Sequence, residues 1–135
     1  MADWAVDHID DIRELEPVGE CPIRPIRHHF GISAFGVNAW TAKAAGDRLI
    51  NEHEEDPGNE ELYLVTSGRA VFELDGERRE APVGTFVFAE PSVKRTAFAE
   101  EPGTTVVAVG ATAGKPYEPV GWELWYPLRK RYEAG

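Results

Sequence analysis

The stretch from Glu61 to Gly84, ELYLVTSGRAVFELDGERREAPVG, decides the fold. Residues 62–66 carry Leu62, Tyr63, Leu64 and Val65, side chains that suit a pleated, half-buried surface, and read as a strand. Ser67-Gly68 turns the chain, and residues 69–74, Arg-Ala-Val-Phe-Glu-Leu, read as a second strand. Asp75-Gly76 is a two-residue hairpin signal, because both residue types tolerate positive φ. Residues 77–80 return as a polar strand, and Ala81-Pro82-Val83-Gly84 turns the chain again.

The same rhythm continues outward. Residues 85–89 form a strand stopped by Glu90-Pro91, residues 93–99 a short extended piece, and residues 100–103 a turn. Residues 104–110 make the most apolar strand of the chain. Upstream, residues 30–43 suggest one or two strands, Gly46-Asp47 a turn, and residues 48–50 an extended run. Residues 51–61 read as a polar loop with six carboxylates and the single imidazole of His53. No helix-length period interrupts residues 32–112, and turn signals recur every ~8–12 residues, so the expectation is all-β, an antiparallel sandwich or barrel. Before it, residues 1–30 read as an N-terminal arm on the surface, where Pro17, Pro22 and Pro25 exclude regular helix. After it, residues 113–135 form a C-terminal aromatic tail. There Trp122, Trp125 and Tyr126 stand at helical spacing and suit packing onto the barrel or a partner subunit. One domain over residues 1–135 is expected, with the barrel at 31–112.

Composition narrows the function. The 135 residues carry 24 acids and 14 bases, a net charge of −10, which disfavours nucleic acid and anionic membrane surfaces as partners. Cys21 is the sole cysteine, so neither an internal disulfide nor a thiolate cluster can form. No apolar run approaches the ~20 residues that span a bilayer, and the acidic N-terminus does not resemble a signal peptide. A cytoplasmic protein is expected.

Glu61, six residues, Gly68, followed by Gly76, five residues, Pro82-Val83-Gly84, resembles the two motifs of the cupin superfamily. The stretches 34–40 and 59–65 are similar to a subgroup of small single-domain bacterial cupins. The resemblance implies a cupin-like jelly-roll β-barrel with an interior pocket, often holding a divalent transition metal on three histidines and one glutamate. It also implies a homodimer. The chain departs from the pattern where the metal would sit. The His-x-His positions fall on Glu54 and Asp56, or on His53 and Glu55 if the loop shifts by one residue, and the second-motif histidine is Arg95. These motifs are degenerate as metal ligands.

The physical consequence is specific. A guanidinium keeps its proton and offers no lone pair, so Arg95 in a ligand position repels a cation. A buried Glu61 without a counter-charge is costly. The expectation is therefore a Glu61–Arg95 ion pair in place of a metal, with His53 at its edge. The candidate ligand-binding pocket is His53, Glu61, Tyr63 and Arg95, with no metal favoured; if one binds, the donors are His53, Glu55 and Glu61.

Simpler readings stand beside these. His53, Glu61 and Arg95 could lie on the surface, and the acids from Glu52 to Glu60 could be a solvated loop or a hard-cation site. Tyr63, Phe72, Phe86 and Phe88 are read mainly as core. Cys21 has no activating base beside it, and His28-His29, as strand neighbours, would face opposite sides. The functional expectation is metal-independent binding of a polar or anionic small molecule through Arg95, His53 and Tyr63. The alternatives are a cupin enzyme, either a metal-dependent oxygenase or hydrolase or a His53/Glu61 acid–base isomerase or lyase, and a partner-docking module with a vestigial pocket.

Overall fold

A computed structural model describes residues 3–16 and 21–118. Trp122, Trp125 and Tyr126 lie outside the described residues, as does Pro17. Two antiparallel sheets face each other. The first has the order β1-β2-β9-β4-β7 and the second β3-β8-β5-β6. The strands are β1 (Ile23–Arg24), β2 (Gly36–Thr41), β3 (Arg48–His53), β4 (Asn59–Ser67), β5 (Arg69–Leu74), β6 (Glu77–Pro82), β7 (Phe86–Ala89), β8 (Arg95–Ala99) and β9 (Thr105–Thr112). This is a jelly-roll type of sandwich, in which the inner faces of both sheets supply one core. Tyr63, Val65, Val87 and Val106 come from the first sheet, and Ile50, Ala70, Phe72 and Ala97 from the second. The rings of Tyr63 and Phe72 meet across the layer with centroids 5.4 Å apart. No helix among the described residues is long and apolar enough to cross a membrane.

Four local expectations are corrected. Pro25 does not exclude helix: α1 (Ile26–Phe30) begins directly after it and ends at Gly31, whose φ of 71° closes the turn. Proline lacks the N–H that a first helical turn leaves unbonded, so it starts a helix where it would break one further in. His28 and His29 therefore lie on a helix, not a strand, and His29 pairs with Asp7 at 2.7 Å. The N-terminal segment is also more than a surface arm. Ile12, Leu15, Cys21 and Ile23 are buried, and β1 adds to the edge of the first sheet by pairing with β2. The polar run 51–61 is strand at both ends, leaving only residues 54–58 as connection. Strand pairing overrides its composition because Glu52 and Glu60 keep their charges in solvent.

The fourth correction concerns Phe86 and Phe88. Alternation along β7 sends Val87 and Ala89 inward, leaving Phe86 63% and Phe88 51% exposed on the outer face. Tyr63 and Phe72 are core, as expected.

Candidate functional site

The two sheets meet chemically at one end of the sandwich. Glu61 and Tyr63 lie on the inner face of β4, two residues apart and so pointing the same way. Arg95 opens β8 in the opposite sheet, where it registers between Leu74 of β5 and His53 of β3. Its side chain crosses the gap, with Nη1 donating to Glu61 Oε1 at 3.0 Å and to the Tyr63 hydroxyl at 3.4 Å. Tyr63 in turn donates its O–H to the same Glu61 oxygen. Arg95 also ties down the 90–94 turn, through Nη2 to the Glu90 carbonyl at 2.7 Å and Nε to the Val93 carbonyl at 2.9 Å. Each edge of the guanidinium thus has an acceptor, which is what lets a charged group be wholly buried.

His53 closes the outside of this arrangement. Its Nε2 lies 2.7 Å from Glu55 and 3.7 Å from Glu61 Oε1, while Nδ1 faces the Asn51 carbonyl at 2.6 Å. Glu55 is fixed twice: its backbone N–H donates to the Pro91 carbonyl at 2.8 Å, and its carboxylate accepts from Asn59. The loop 54–58 and the turn 90–94 are thereby joined over the end of the barrel. Asn59 was not singled out in the sequence; its spacing of four from Glu55 carries no distinctive signal. The Glu90 and Val93 carbonyls could not have been singled out, since backbone acceptors leave no mark in residue type.

The charges shape one another. Hydrogen bonds from Glu55 and Glu61 outweigh burial and push the His53 pKa up from 6.5 to about 10, so it is imidazolium at neutral pH. Burial alone would raise Glu61, but His53, Tyr63 and Arg95 together hold it below its ordinary value. Burial and the adjacent Glu61 charge push Tyr63 up, so its hydroxyl stays a donor. The stabilisation from the His53 pairs is complete below pH 6.5 and is lost as pH rises through about 10. The stability difference between wild type and His53→Asn is accordingly expected to be largest near pH 6 and to shrink toward pH 10. In NMR titration the imidazole should keep its proton through pH 8, and Glu55→Gln should lower its midpoint. A wild-type midpoint near 6.5 would contradict this geometry.

These residues do not fit a centre of three imidazoles and one carboxylate. There is a single imidazole, and a permanent cation occupies the remaining position, bonded to the carboxylate oxygen that would face the ion. His53, Glu55 and Glu61 do each offer one donor atom within 4.8 Å of the others, a looser three-ligand set on the solvent side. A polar ligand at this end meets that side alone, because Arg95 and Tyr63 are sealed behind it.

Comparison with solved structures identifies the architecture. A cupin protein from Bacteroides fragilis superposes with a TM-score of 0.65 at 17% identity, over 89% of this chain and 93% of that one. The chain has the cupin fold. Two further structures of that fold are similar. A predicted oxalate decarboxylase from Thermotoga maritima gives a TM-score of 0.62 at 14% identity, covering 80% of this chain and 99% of that one. KdgF from Halomonas sp. gives 0.59 at 17%, covering 76% and 88%. No family model matches the sequence, and no curated protein does. At these identities the likeness carries the cupin fold alone; the chemistry rests on the residues.

Proposed function

We propose that the protein binds a small polar molecule at the mouth of its barrel without a metal ion. The observation that carries this reading is the wholly buried Arg95 at 3.0 Å from Glu61, which neutralises the interior with protein groups. The expected role of Arg95 and Tyr63 changes accordingly. They position Glu61 and keep it ionised, while Glu61, Glu55 and His53 offer the outward contacts. Two carboxylates around one imidazolium repel an anion and favour a ligand with hydroxyl or amine donors. Glu55 and Glu61 raise the His53 pKa, which weighs against the isomerase or lyase reading in which His53 takes the proton at neutral pH.

A second reading, a metal-dependent oxygenase or hydrolase, is favoured by the proximity of the His53, Glu55 and Glu61 donors. The two readings separate in one experiment. The metal-stripped protein is screened by thermal shift and NMR against polyols, sugars, small amines and small carboxylates, and separately against zinc, manganese and nickel. The expected result is perturbation of Glu61 and His53 signals by a hydroxylated or amine ligand, lost in Glu61→Gln. Saturable binding of one transition metal per chain, with no ligand response in the stripped protein, would overturn it.

A further inference from the structure

Two glycines lie on the inner face of the first sheet beside Glu61. Gly36 of β2 registers with Gly110 of β9, and Gly110 with Glu61 of β4, so the three stand in one row at the mouth of the barrel. Neither glycine has a positive φ, so the missing side chain serves space rather than backbone conformation. At Gly36 that space is filled: a Cβ would stand 2.7 Å from the Tyr117 hydroxyl oxygen and 2.8 Å from its ring. The Arg27 guanidinium, from α1, lies over the same ring, 5.3 Å from its centroid. At Gly110 a Cβ would stand 3.8 Å from Glu61 Oε2. Arg95 and Tyr63 both donate to Glu61 Oε1, and Oε2 accepts from no described residue. One row deeper, Asn38 registers with Ala108 and Ala108 with Tyr63, which puts Asn38 on the inner face as well. Asn38 is half-buried there, and its amide has no hydrogen-bond partner among the described residues.

Resting on the ligand-binding reading above, we infer that Asn38 and Tyr117 complete that site and make it select a neutral ring bearing hydroxyls, a cyclic polyol or a sugar, over an amine. Cross-strand Cβ positions are about 5 Å apart, so one small ring seated over Gly110 reaches Glu61 on one side and Tyr117 on the other. Oε2 accepts from its hydroxyls, the Asn38 amide both donates and accepts, and the Tyr117 ring packs against its C–H face. An apolar wall with a few placed polar groups is the usual composition of a small-molecule site. Charge separates the two ligand classes that the carboxylates alone leave open. An amine drawn in by Glu61 also meets the Arg27 guanidinium at the opposite wall, and like charges repel. A hydroxyl carries no charge to repel. Anchoring of the chain after β9 would explain the contact between Tyr117 and Gly36, but neither the open Oε2 nor an amide without a partner on the inner face.

The test is NMR titration of the full-length chain with inositol and methyl glucoside as ring probes, sorbitol as the open-chain polyol and putrescine as the amine. A ring probe is expected to bind most tightly and to shift signals of Glu61, Asn38 and Tyr117. Tyr117→Ala should weaken that probe about 10-fold and abolish its advantage over sorbitol, whereas Tyr117→Phe, which keeps the ring, should restore the advantage. Asn38→Ala should weaken ring and open-chain polyols alike. Gly36→Ala, which leaves no room for the Tyr117 ring in its place, should behave as Tyr117→Ala does. Circular dichroism checks the fold of each variant, and the two Tyr117 variants decide the matter should Gly36→Ala not fold. A folded Tyr117→Ala that keeps both affinity and ring preference overturns the inference, and it leaves the site itself standing if Glu61→Gln still abolishes binding. Tighter binding of putrescine than of any polyol overturns the ligand class. No saturable binding of any of these probes to the wild type overturns the reading of the mouth and the inference with it.

Discussion

Arg95→Met is expected to destabilise the protein by about 3 kcal/mol in chemical denaturation, because it removes one partner of a buried ion pair. Methionine keeps the aliphatic stem and omits the guanidinium head, so the loss combines the missing charge and hydrogen bonds with a small void where the head lay. The Glu90 and Val93 carbonyls lose their donors, and Glu61 loses its 3.0 Å counter-charge. Partial exposure of the Glu61 side chain, at 17%, lets water recover some of that and places the value at the low end of the range. The double variant Arg95→Met/Glu61→Gln should lose less than the sum of the single losses, because the stranded charge is gone. A charge-related loss also has a pH signature. Glu61 sits below its ordinary value in the wild type, so its contribution is present above about pH 4.5 and fades as pH falls through the lowered value. The gap between Arg95→Met and wild type should narrow over the same interval. A loss under about 1 kcal/mol would show that Arg95 is not what neutralises the interior.

The parts of this arrangement that were legible in the sequence are those fixed by short-range chemistry. Gly68 at φ 72° and Asp75-Gly76 at φ 51° and 83° are turn positions that few residue types accept, so their spacing announces the strands between them. Once that spacing is set, alternation places Glu61 and Tyr63 on one face, and the departure at Arg95 becomes readable as a counter-charge. What was not legible depends on register. FVFA is apolar on both faces, and nothing within four residues says which face is inside; pairing with β4 decides it. The polar ends of β3 and β4 likewise look like loop until a partner strand supplies hydrogen bonds. The helix after Pro25 departs from the sequence expectation because a proline that would break a helix interior is tolerated where a helix starts.

The same distinction predicts how two motif glycines differ. Gly68 and Gly76 both have positive φ, yet alanine at the two positions should have unequal effects. At Gly76 an added Cβ meets nothing within 4 Å, so Gly76→Ala costs only the left-handed backbone strain, about 1 kcal/mol. At Gly68 it would stand 2.4 Å from Thr104 Oγ1 and 2.6 Å from Thr104 Cα. The hydroxyl cannot simply swing away. It accepts from the Arg69 N–H at 3.1 Å and contacts the Glu101 carbonyl at 2.7 Å, holding β5 to the turn before β9. Nor can the Cα, since Thr104 is fully buried. Relief therefore requires moving backbone beside the register shift between Val65 and Ser67, where β4 leaves β9. Gly68→Ala is expected to lose about 3 kcal/mol, strain and overpacking together. Guanidinium midpoints of the two variants measured side by side check this. Equal losses would mean that close approach to Thr104 is not what demands glycine at position 68, leaving backbone conformation as the whole reason.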